Sequence, residues 1–242
     1  MKELTRRRAL MAGLAAPLAA TAIPAVAQRR RALPPAPVAG GKSALTPDQA
    51  LQLLKDGNAA FLRDEIELPD VGTRRRLELA RGQAPFCAYV SCSDSRVPPE
   101  LLFGRGLGEL FIVRNAGNTV DTVARGSIEF AVGVLGVPLV VIMGHESCGA
   151  VKAAMDVVAK DARFPGAIDN MIEPIIPAVL EARRLTGDPV ENAVRQNVRR
   201  IVRNMREEAD PLLLKPLGEG RLKIVGAYYE LDSGRVDFFD ET

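Results

Sequence analysis

Two short motifs hold the side chains of this sequence that are best suited to metal chemistry. The first is Cys92-Ser93-Asp94-Ser95-Arg96, and the second is His145-Glu146-Ser147-Cys148-Gly149. Together they supply two thiols, one imidazole and one carboxylate, which are ligands that Zn2+ accepts in a tetrahedral site. His145 is the only histidine in the chain. The motifs therefore predict a zinc site whose fourth position decides whether it is structural or catalytic.

Two other uses of these cysteines need to be weighed. The chain has three cysteines, so at least one is unpaired within a monomer, and a Cys92–Cys148 disulfide is the main alternative to a metal site. A phosphate-binding nucleophile loop fits less well. Such a loop needs an arginine about five residues beyond the cysteine, whereas Arg96 is four beyond Cys92, and Asp94 would repel an anion. Cys87 lies within a predicted strand, where we expect a small buried hydrophobe.

Each motif directly follows a short apolar run of the length of a buried strand. Apolar runs alternate with segments of helical period, which predicts an α/β fold with a mostly parallel central sheet flanked by helices. The predicted strands are Phe86–Ser91, Leu110–Val113, Leu139–Met143 and Leu222–Tyr228, and the predicted helices are Val120–Leu135, Cys148–Ala159, Asn170–Leu185 and Val190–Glu208. The carboxyl ends of parallel strands share one edge of the sheet, so we expect the motifs to meet there. Cys148 should begin a helix, whose dipole favours a thiolate.

Local signals extend this fold at both ends. Thr46 and Pro47 suit the N-cap and first turn of an amphipathic helix, and a second helical stretch covers Arg74–Arg81. Near the C-terminus, the turn signal Asp232-Ser233-Gly234 precedes the run Gly234–Phe239, which predicts an antiparallel edge strand.

The chain divides into three predicted parts. Residues 1–27 place paired arginines before an alanine-rich run and a small-x-small cleavage site, and they resemble a twin-arginine export signal cleaved near Ala27. Residues 28–46 are rich in proline and glycine and read as a linker, and residues 47–242 form the catalytic domain. Export by the twin-arginine machinery implies a periplasmic or otherwise exported bacterial protein.

Charge excludes one class of partner. The formal charge is +2, but residues 1–27 contain four basic residues and one acidic residue, so the remainder carries 28 basic and 29 acidic side chains. Binding to nucleic acid depends on clustered Lys and Arg against phosphates. We therefore expect no nucleic-acid partner.

Both motifs match the signatures of β-class carbonic anhydrases, and the segment Arg114-Asn115-Ala116-Gly117-Asn118 resembles the family sequence between them. The resemblance runs from about Thr46 to the C-terminus. It implies one Zn2+ per chain, held permanently by Cys92, His145 and Cys148. It also implies reversible hydration of carbon dioxide to bicarbonate and a proton by hydroxide generated at the zinc.

The resemblance assigns further roles. Asp94 orients the nucleophile while Arg96 holds it off the metal, and in a closed state Asp94 becomes the fourth ligand. Gln83 resembles the family glutamine that donates a hydrogen bond to the substrate oxygen, and the apolar substrate pocket is formed by Val97, Phe111, Ala116 and Phe130. The family resemblance further implies a homodimer or a larger homo-oligomer with active sites at the subunit interface.

Some positions depart from the family pattern. Phe130 stands where many plant-type members have tyrosine, and Tyr89 stands where some bacterial members with the closing switch have tryptophan. With His145 committed to the metal, no histidine remains to carry protons, so we expect turnover to rise with buffer concentration. The alternative functions are hydrolysis of CS2 or COS at the same zinc site and a non-catalytic zinc-binding protein of this fold.

Overall fold

The structure, a computed structural model, describes residues 32–66, 69, 71–207 and 210–241. The predicted export signal and the first residues of the predicted linker lie outside this range. Within it, no helix combines the length and the apolar composition needed to cross a membrane.

A five-stranded sheet forms the centre of the fold. A small hairpin precedes it, and its strands β1 (Val38–Ala39) and β2 (Lys42–Ser43) have two residues each. The sheet strands are β3 (Cys87–Ser91), β4 (Leu110–Arg114), β5 (Leu139–His145), β6 (Lys223–Tyr229) and β7 (Val236–Asp240). Their order is β4-β3-β5-β6-β7; the first four are parallel, and β7 pairs with β6 antiparallel. The predicted α/β fold with an antiparallel edge strand is confirmed.

Helices cover both faces of the sheet. In chain order they are α1 (Pro47–Leu62), α2 (Thr73–Leu79), α3 (Pro99–Phe103), α4 (Thr122–Gly133), α5 (Gly149–Lys160), α6 (Ala167–Ile172), α7 (Ile176–Ala182), α8 (Pro189–Glu207) and α9 (Pro211–Gly218). Thr46 caps α1 as predicted: its side chain accepts a hydrogen bond from Gln49 N–H, and the Gln49 side chain accepts one from Thr46 N–H.

Alternate residues of the central strands enter two separate apolar cores. Along β3, Tyr89 joins the core shared with α1, α5 and α7, whereas Val90 joins the core shared with α4 and α9. Both cores are closed to solvent, which explains why these strands are continuously apolar rather than alternating with polar residues. Helix α8 contributes to both cores, with Val194 in the first and Val198 in the second.

The helix predicted over Asn170–Leu185 is interrupted. The structure has α6 and α7 there, separated by a 3-10 turn at Glu173–Ile175. Pro174 and Pro177 each occupy one of the first two positions of a new helical segment, where proline's missing N–H does no harm. Helices α3 and α9, which are short and also begin at prolines, were not predicted from the sequence.

The described part of the predicted linker contacts the body of the protein. Ala36 N–H donates to Glu109 Oε1 at 2.8 Å, and Arg105 donates to the Pro34 carbonyl at 3.4 Å. Arg105 and Glu109 are almost fully buried and lie 3.7 Å apart as an ion pair. Pro34 and Ala36 therefore tie this segment to the domain, while the boundaries of the three parts stay predictions.

Candidate metal centre

The two motifs meet at the carboxyl-terminal edge of the sheet. Strands β3 and β5 are parallel neighbours, with Ser91 paired to Met143. Cys92 directly follows β3, and His145 is the last residue of β5. Cys148 is the N-cap of α5, so it lies at the helix N-terminus as predicted. The chain crossing over from β3 through β4 and α4 to β5 thus brings together residues more than fifty positions apart in the sequence.

The three predicted zinc ligands form one compact, buried group. The Sγ atoms of Cys92 and Cys148 and a ring nitrogen of His145 all lie within 4.8 Å of one another. The two sulfurs are 4.0 Å apart, close to the roughly 3.8 Å between two thiolates at about 2.3 Å from a tetrahedral zinc. A disulfide needs an S–S distance of about 2.05 Å, and all three cysteines are free. The donor set and its spacing fit zinc.

The His145 ring is oriented with one nitrogen toward the cysteines. Nδ1 lies 2.8 Å from the Glu146 carbonyl oxygen, so we assign the proton to Nδ1, which leaves Nε2 as a lone-pair donor. Nε2 is buried and has no hydrogen-bond partner in the described part of the chain. A buried nitrogen left unpaired is unfavourable unless something else occupies its lone pair, and a metal ion would do so.

The two thiols are in contact and shift each other's pKa in opposite directions. The contact with Cys148 lowers the pKa of Cys92 to about 4, because its effect exceeds the opposing effect of burial, and His145 adds a smaller lowering. The same contact, reinforced by burial, raises the pKa of Cys148. Gly117 N–H also donates to Cys92 Sγ at 3.3 Å. The lowered pKa of Cys92 favours the thiolate form that metal coordination needs.

Asp94 lies beside this group and is held there by Arg96. Its Oδ2 is 3.9 Å from His145 Nε2. Arg96 donates to Asp94 three times: from its backbone N–H at 3.0 Å, from Nε at 2.9 Å and from Nη2 at 2.7 Å. The Arg96 side-chain bonds hold the pKa of Asp94 well below its usual range despite partial burial. Asp94 is thus a carboxylate at neutral pH. Its hydrogen bonds to Arg96 hold it next to the metal group.

Arg114 is a site residue whose role the sequence analysis did not identify. At the end of β4, its Nε donates to the Cys92 carbonyl at 2.9 Å and its Nη2 donates to the Asp94 carbonyl at 2.5 Å. In return, Ser93 Oγ donates to the Arg114 carbonyl at 3.1 Å. A guanidinium has a fixed fork of donors, so Arg114 sets the backbone of the loop that carries both a metal ligand and Asp94. The segment Arg114–Asn118 matched the family, but only the fold shows this contact.

The predicted pocket residues fall into two groups. Val97 is fully buried in the same core as Cys92 and Cys148, and its N–H donates to the Asp94 carbonyl at 3.2 Å. Ala116 precedes Gly117 and lines a cavity of about 500 Å³ together with Ser93. These two residues lie at the metal group of their own chain.

Phe111, Phe130 and Gln83 do not reach that group within one chain. Phe111 is paired with Ala88 near the start of the strands, and its ring centroid is 6.3 Å from that of Phe130, which is 48% exposed. Gln83 is exposed and precedes β3, whereas Cys92 follows it. At about 3.3 Å per residue, the strand puts roughly 16 Å between them. These three residues therefore do not line the metal group of their own chain.

Comparison with known proteins agrees with this geometry. The family model described as carbonic anhydrase matches residues 87–236, which include both motifs. The carbonic anhydrase of Mycolicibacterium smegmatis is 38% identical over 191 residues, covering 79% of this chain and 92% of that protein. The carbonic anhydrase of Pseudomonas aeruginosa is 35% identical over 208 residues, covering 77% of this chain and 88% of that protein.

Solved structures of similar fold come from the same class. One of two tetrameric β-carbonic anhydrases from Sordaria macrospora aligns with a TM-score of 0.61 at 28% identity, over 68% of this chain and 85% of that one. The β-carbonic anhydrase CafA of Aspergillus fumigatus aligns with a TM-score of 0.60 at 28% identity, over 80% of this chain and 90% of that one. The sequence matches, the shared fold and the Cys-His-Cys group together establish that this chain belongs to the β class of the carbonic anhydrase family.

Proposed function

We propose that the protein hydrates carbon dioxide reversibly to bicarbonate and a proton, with one zinc ion per chain. The observation that carries the proposal is the buried Cys92–His145–Cys148 group with its unpaired His145 Nε2. An arginine-held carboxylate, Asp94, lies 3.9 Å from that nitrogen. This combination supplies three metal ligands and one ionised group that is free to contact a substrate.

The three ligands would leave the fourth position of a tetrahedral ion open to water or to Asp94. A zinc ion held there would lower the pKa of its bound water to about 7 and so supply a nucleophile at neutral pH. The ligand residues hold the ion, and their burial keeps the site in a medium where electrostatic effects are stronger than in bulk water.

Asp94 orients the attacking oxygen. Because Arg96 lowers its pKa, Asp94 remains ionised at neutral pH and can accept a hydrogen bond from the O–H of the nucleophile. That bond turns an oxygen lone pair toward the carbon of CO2. If the contact with Arg96 breaks, Asp94 is near enough to His145 Nε2 to compete for the open position, which would close the site.

A second copy of the chain completes the proposed site. Gln83, Phe111 and Phe130 lie away from the metal group of their own chain, so their predicted roles are met only from a neighbouring subunit. Helix α4 supports such an assembly because Val123, Phe130 and the adjoining Val134 are exposed at helical spacing. The relative from Sordaria macrospora is tetrameric. We propose a homodimer or a larger homo-oligomer in which Gln83 of one chain donates to the substrate oxygen of another.

His145 is the only histidine of the chain, so no second histidine is available to carry the product proton. His145 Nδ1 is engaged by the Glu146 carbonyl, and the lowered pKa of Asp94 makes that carboxylate a poor proton acceptor near neutral pH. The proton must then leave through water, buffer, another carboxylate or a tyrosine. We therefore expect turnover to rise with buffer concentration when little buffer is present.

Two other functions were considered for the same site. Hydrolysis of CS2 or COS would use an identical metal group, and a non-catalytic zinc protein would keep the ligands alone. The family relationship favours CO2 over the first. The Asp94–Arg96 pair, which a purely structural zinc does not need, disfavours the second.

We propose further that the protein is exported and that residues 47–242 form its catalytic domain. The support is the sequence of residues 1–27, with its paired arginines and small-x-small site. N-terminal sequencing of protein recovered from the periplasmic fraction would test the proposal. A mature chain beginning near Gln28 would support it, and an intact Met1 would contradict it.

Stopped-flow CO2 hydration, with zinc measured on the same sample, tests the enzymatic proposal. We expect about one zinc per chain and activity at neutral to alkaline pH. Cys148→Ser should lose both, because it removes one ligand. The matched control is Cys87→Ala, which removes another buried thiol that lies outside the metal group. A zinc-loaded wild type without CO2 hydration would contradict the proposal, and CS2 and COS would then be tried.

A further inference from the structure

Glu146 lies between the metal ligands His145 and Cys148, and its contacts reach both sides of the loop that joins them. Its carbonyl oxygen lies 2.8 Å from His145 Nδ1 and fixes the ring. Its N–H donates to the Tyr229 carbonyl at 2.8 Å, which extends the pairing of β5 with β6 by one bond. Its carboxylate Oε2 accepts the Leu231 N–H at 2.8 Å. The residue is thus attached to the end of β6, to the turn that follows β6, and to the predicted ligand His145.

These attachments determine the orientation of one peptide group. The backbone N–H anchors Glu146 to the last residue of β6, and the side chain anchors it to the turn that follows, so the Glu146 carbonyl is held toward the imidazole. The next residue, Ser147, has φ of +55°. A left-handed conformation is unfavourable for a residue with a Cβ and persists where its surroundings enforce it. The Glu146 carboxylate supplies a long-range part of that enforcement, because Leu231 is 85 positions away.

From this geometry we infer that Glu146 is a positioning residue for the metal centre, acting through His145. Its carboxylate bonds to the Leu231 N–H and so holds the carbonyl that sets the tautomer and the direction of the His145 ring. The inference rests on the proposed zinc site. Partners of this kind typically change metal affinity or activity by about 10–100-fold when they are removed.

Glu146→Ala and Glu146→Gln separate a hydrogen-bond role from a charge role. Alanine removes the acceptor for the Leu231 N–H, whereas the glutamine side chain keeps an oxygen at the same reach. The matched control is Glu230→Ala. Glu230 belongs to the turn after β6, and its carboxylate accepts from Ser233 Oγ at 2.6 Å and pairs with Arg235, without contacting the ligand loop.

The test measures Zn2+ affinity by competition with a chromogenic chelator and the visible spectrum of the Co2+-substituted protein, with circular dichroism as the folding check. We expect Glu146→Ala to bind Zn2+ about 10–100-fold more weakly and to show altered cobalt bands. Glu146→Gln should stay within about threefold of wild type, and Glu230→Ala should keep wild-type affinity and spectrum.

Three results would overturn the inference: wild-type metal binding by Glu146→Ala, equal losses in Glu146→Gln and Glu146→Ala, or an equal loss in Glu230→Ala. The first leaves the carboxylate without a role, the second assigns the effect to charge, and the third assigns it to the stability of the turn. All three leave the proposed function intact. A wild-type protein that bound neither metal would instead overturn both proposals.

Discussion

Gly144→Ala should damage both the stability and the metal centre, because helix α8 lies directly against this residue. Gly144 precedes His145 in β5. A Cβ built on Gly144 would lie 2.4 Å from Val194 Cγ1 and 3.0 Å from Val198 Cγ2. Carbon atoms pack at about 3.5–4.0 Å, so either α8 or the end of β5 must move by about 1 Å.

The expected size of the effect follows from that overlap. Overpacking a close-packed core by one methyl group costs about 1–3 kcal/mol. For a domain of roughly 200 residues, this lowers the unfolding midpoint by about 2–12 °C. Movement of β5 would also displace His145, and a 1 Å misplacement of a reacting group can lower the rate by about 10²-fold. We expect kcat/KM to fall about 10–100-fold.

The experiment is thermal unfolding together with stopped-flow hydration, with Gly149→Ala as the matched control. Gly149 also adjoins a metal ligand, Cys148, but a Cβ there would meet nothing within 4 Å. Alanine in this first helical position should leave stability and activity unchanged or slightly raise stability. The control therefore separates steric overlap from mere proximity to the site.

A second substitution tests the stated cause. Val194→Ala removes the methyl group that the new Cβ would strike, so Gly144→Ala/Val194→Ala should be less destabilised than the sum of the single variants by about 1 kcal/mol or more. Additive losses, or a Gly144→Ala protein with the wild-type midpoint and activity, would refute the argument from packing. Equal damage in Gly149→Ala would refute it as well.

Four further outcomes are expected. Cys148→Ser should bind less than a tenth of the wild-type zinc, measured by atomic absorption, because it removes one of three ligands; full zinc content would contradict the ligand set. Arg114→Lys should lower kcat/KM about 10–100-fold, since one ammonium cannot bridge the Cys92 and Asp94 carbonyls as the guanidinium does; wild-type kinetics would exclude that role. Because Arg96 lowers the pKa of Asp94, their pair stabilises the folded state above about pH 4 and loses this contribution as the pH falls through the lowered pKa. Arg96→Gln should therefore show a smaller difference from wild type in urea unfolding at pH 3 than at pH 7, and a constant difference would argue against the pair. Hydration turnover should rise with buffer concentration at low buffer, as no second histidine is present; turnover indifferent to buffer would point to a protein group that carries the proton.

Local residue types were enough to predict the Cys-His-Cys group that could hold a metal and the class of fold. Cys92, His145 and Cys148 have side chains with few uses in this combination, and both motifs directly follow apolar runs of strand length. Strand-helix alternation then implied a parallel sheet whose carboxyl ends carry the site. Both inferences depend only on the residue types and on the spacing of apolar residues within short segments, and the sequence gives both directly.

Contacts between residues that are far apart in the sequence could not be predicted from such short segments. The proline-divided helix could be anticipated in principle from Pro174 and Pro177, but the contact of Arg114 with the Cys92 loop could not, because it depends on β4 lying next to β3. The hydrogen bond from the Leu231 N–H to the Glu146 carboxylate likewise requires that β6 lies beside β5. Neither glutamate nor arginine carries a local signal for such a role.

The sequence by itself determined which atoms could bind the metal and roughly where each strand would end. Only the tertiary structure decided that Gln83 lies at the opposite end of β3 from Cys92. It also decided that Asp94, hydrogen-bonded to Arg96, lies beside His145 Nε2. The physical reason is that ligand chemistry belongs to single side chains, whereas distance and orientation result from the order in which strands pair and helices pack across the whole chain.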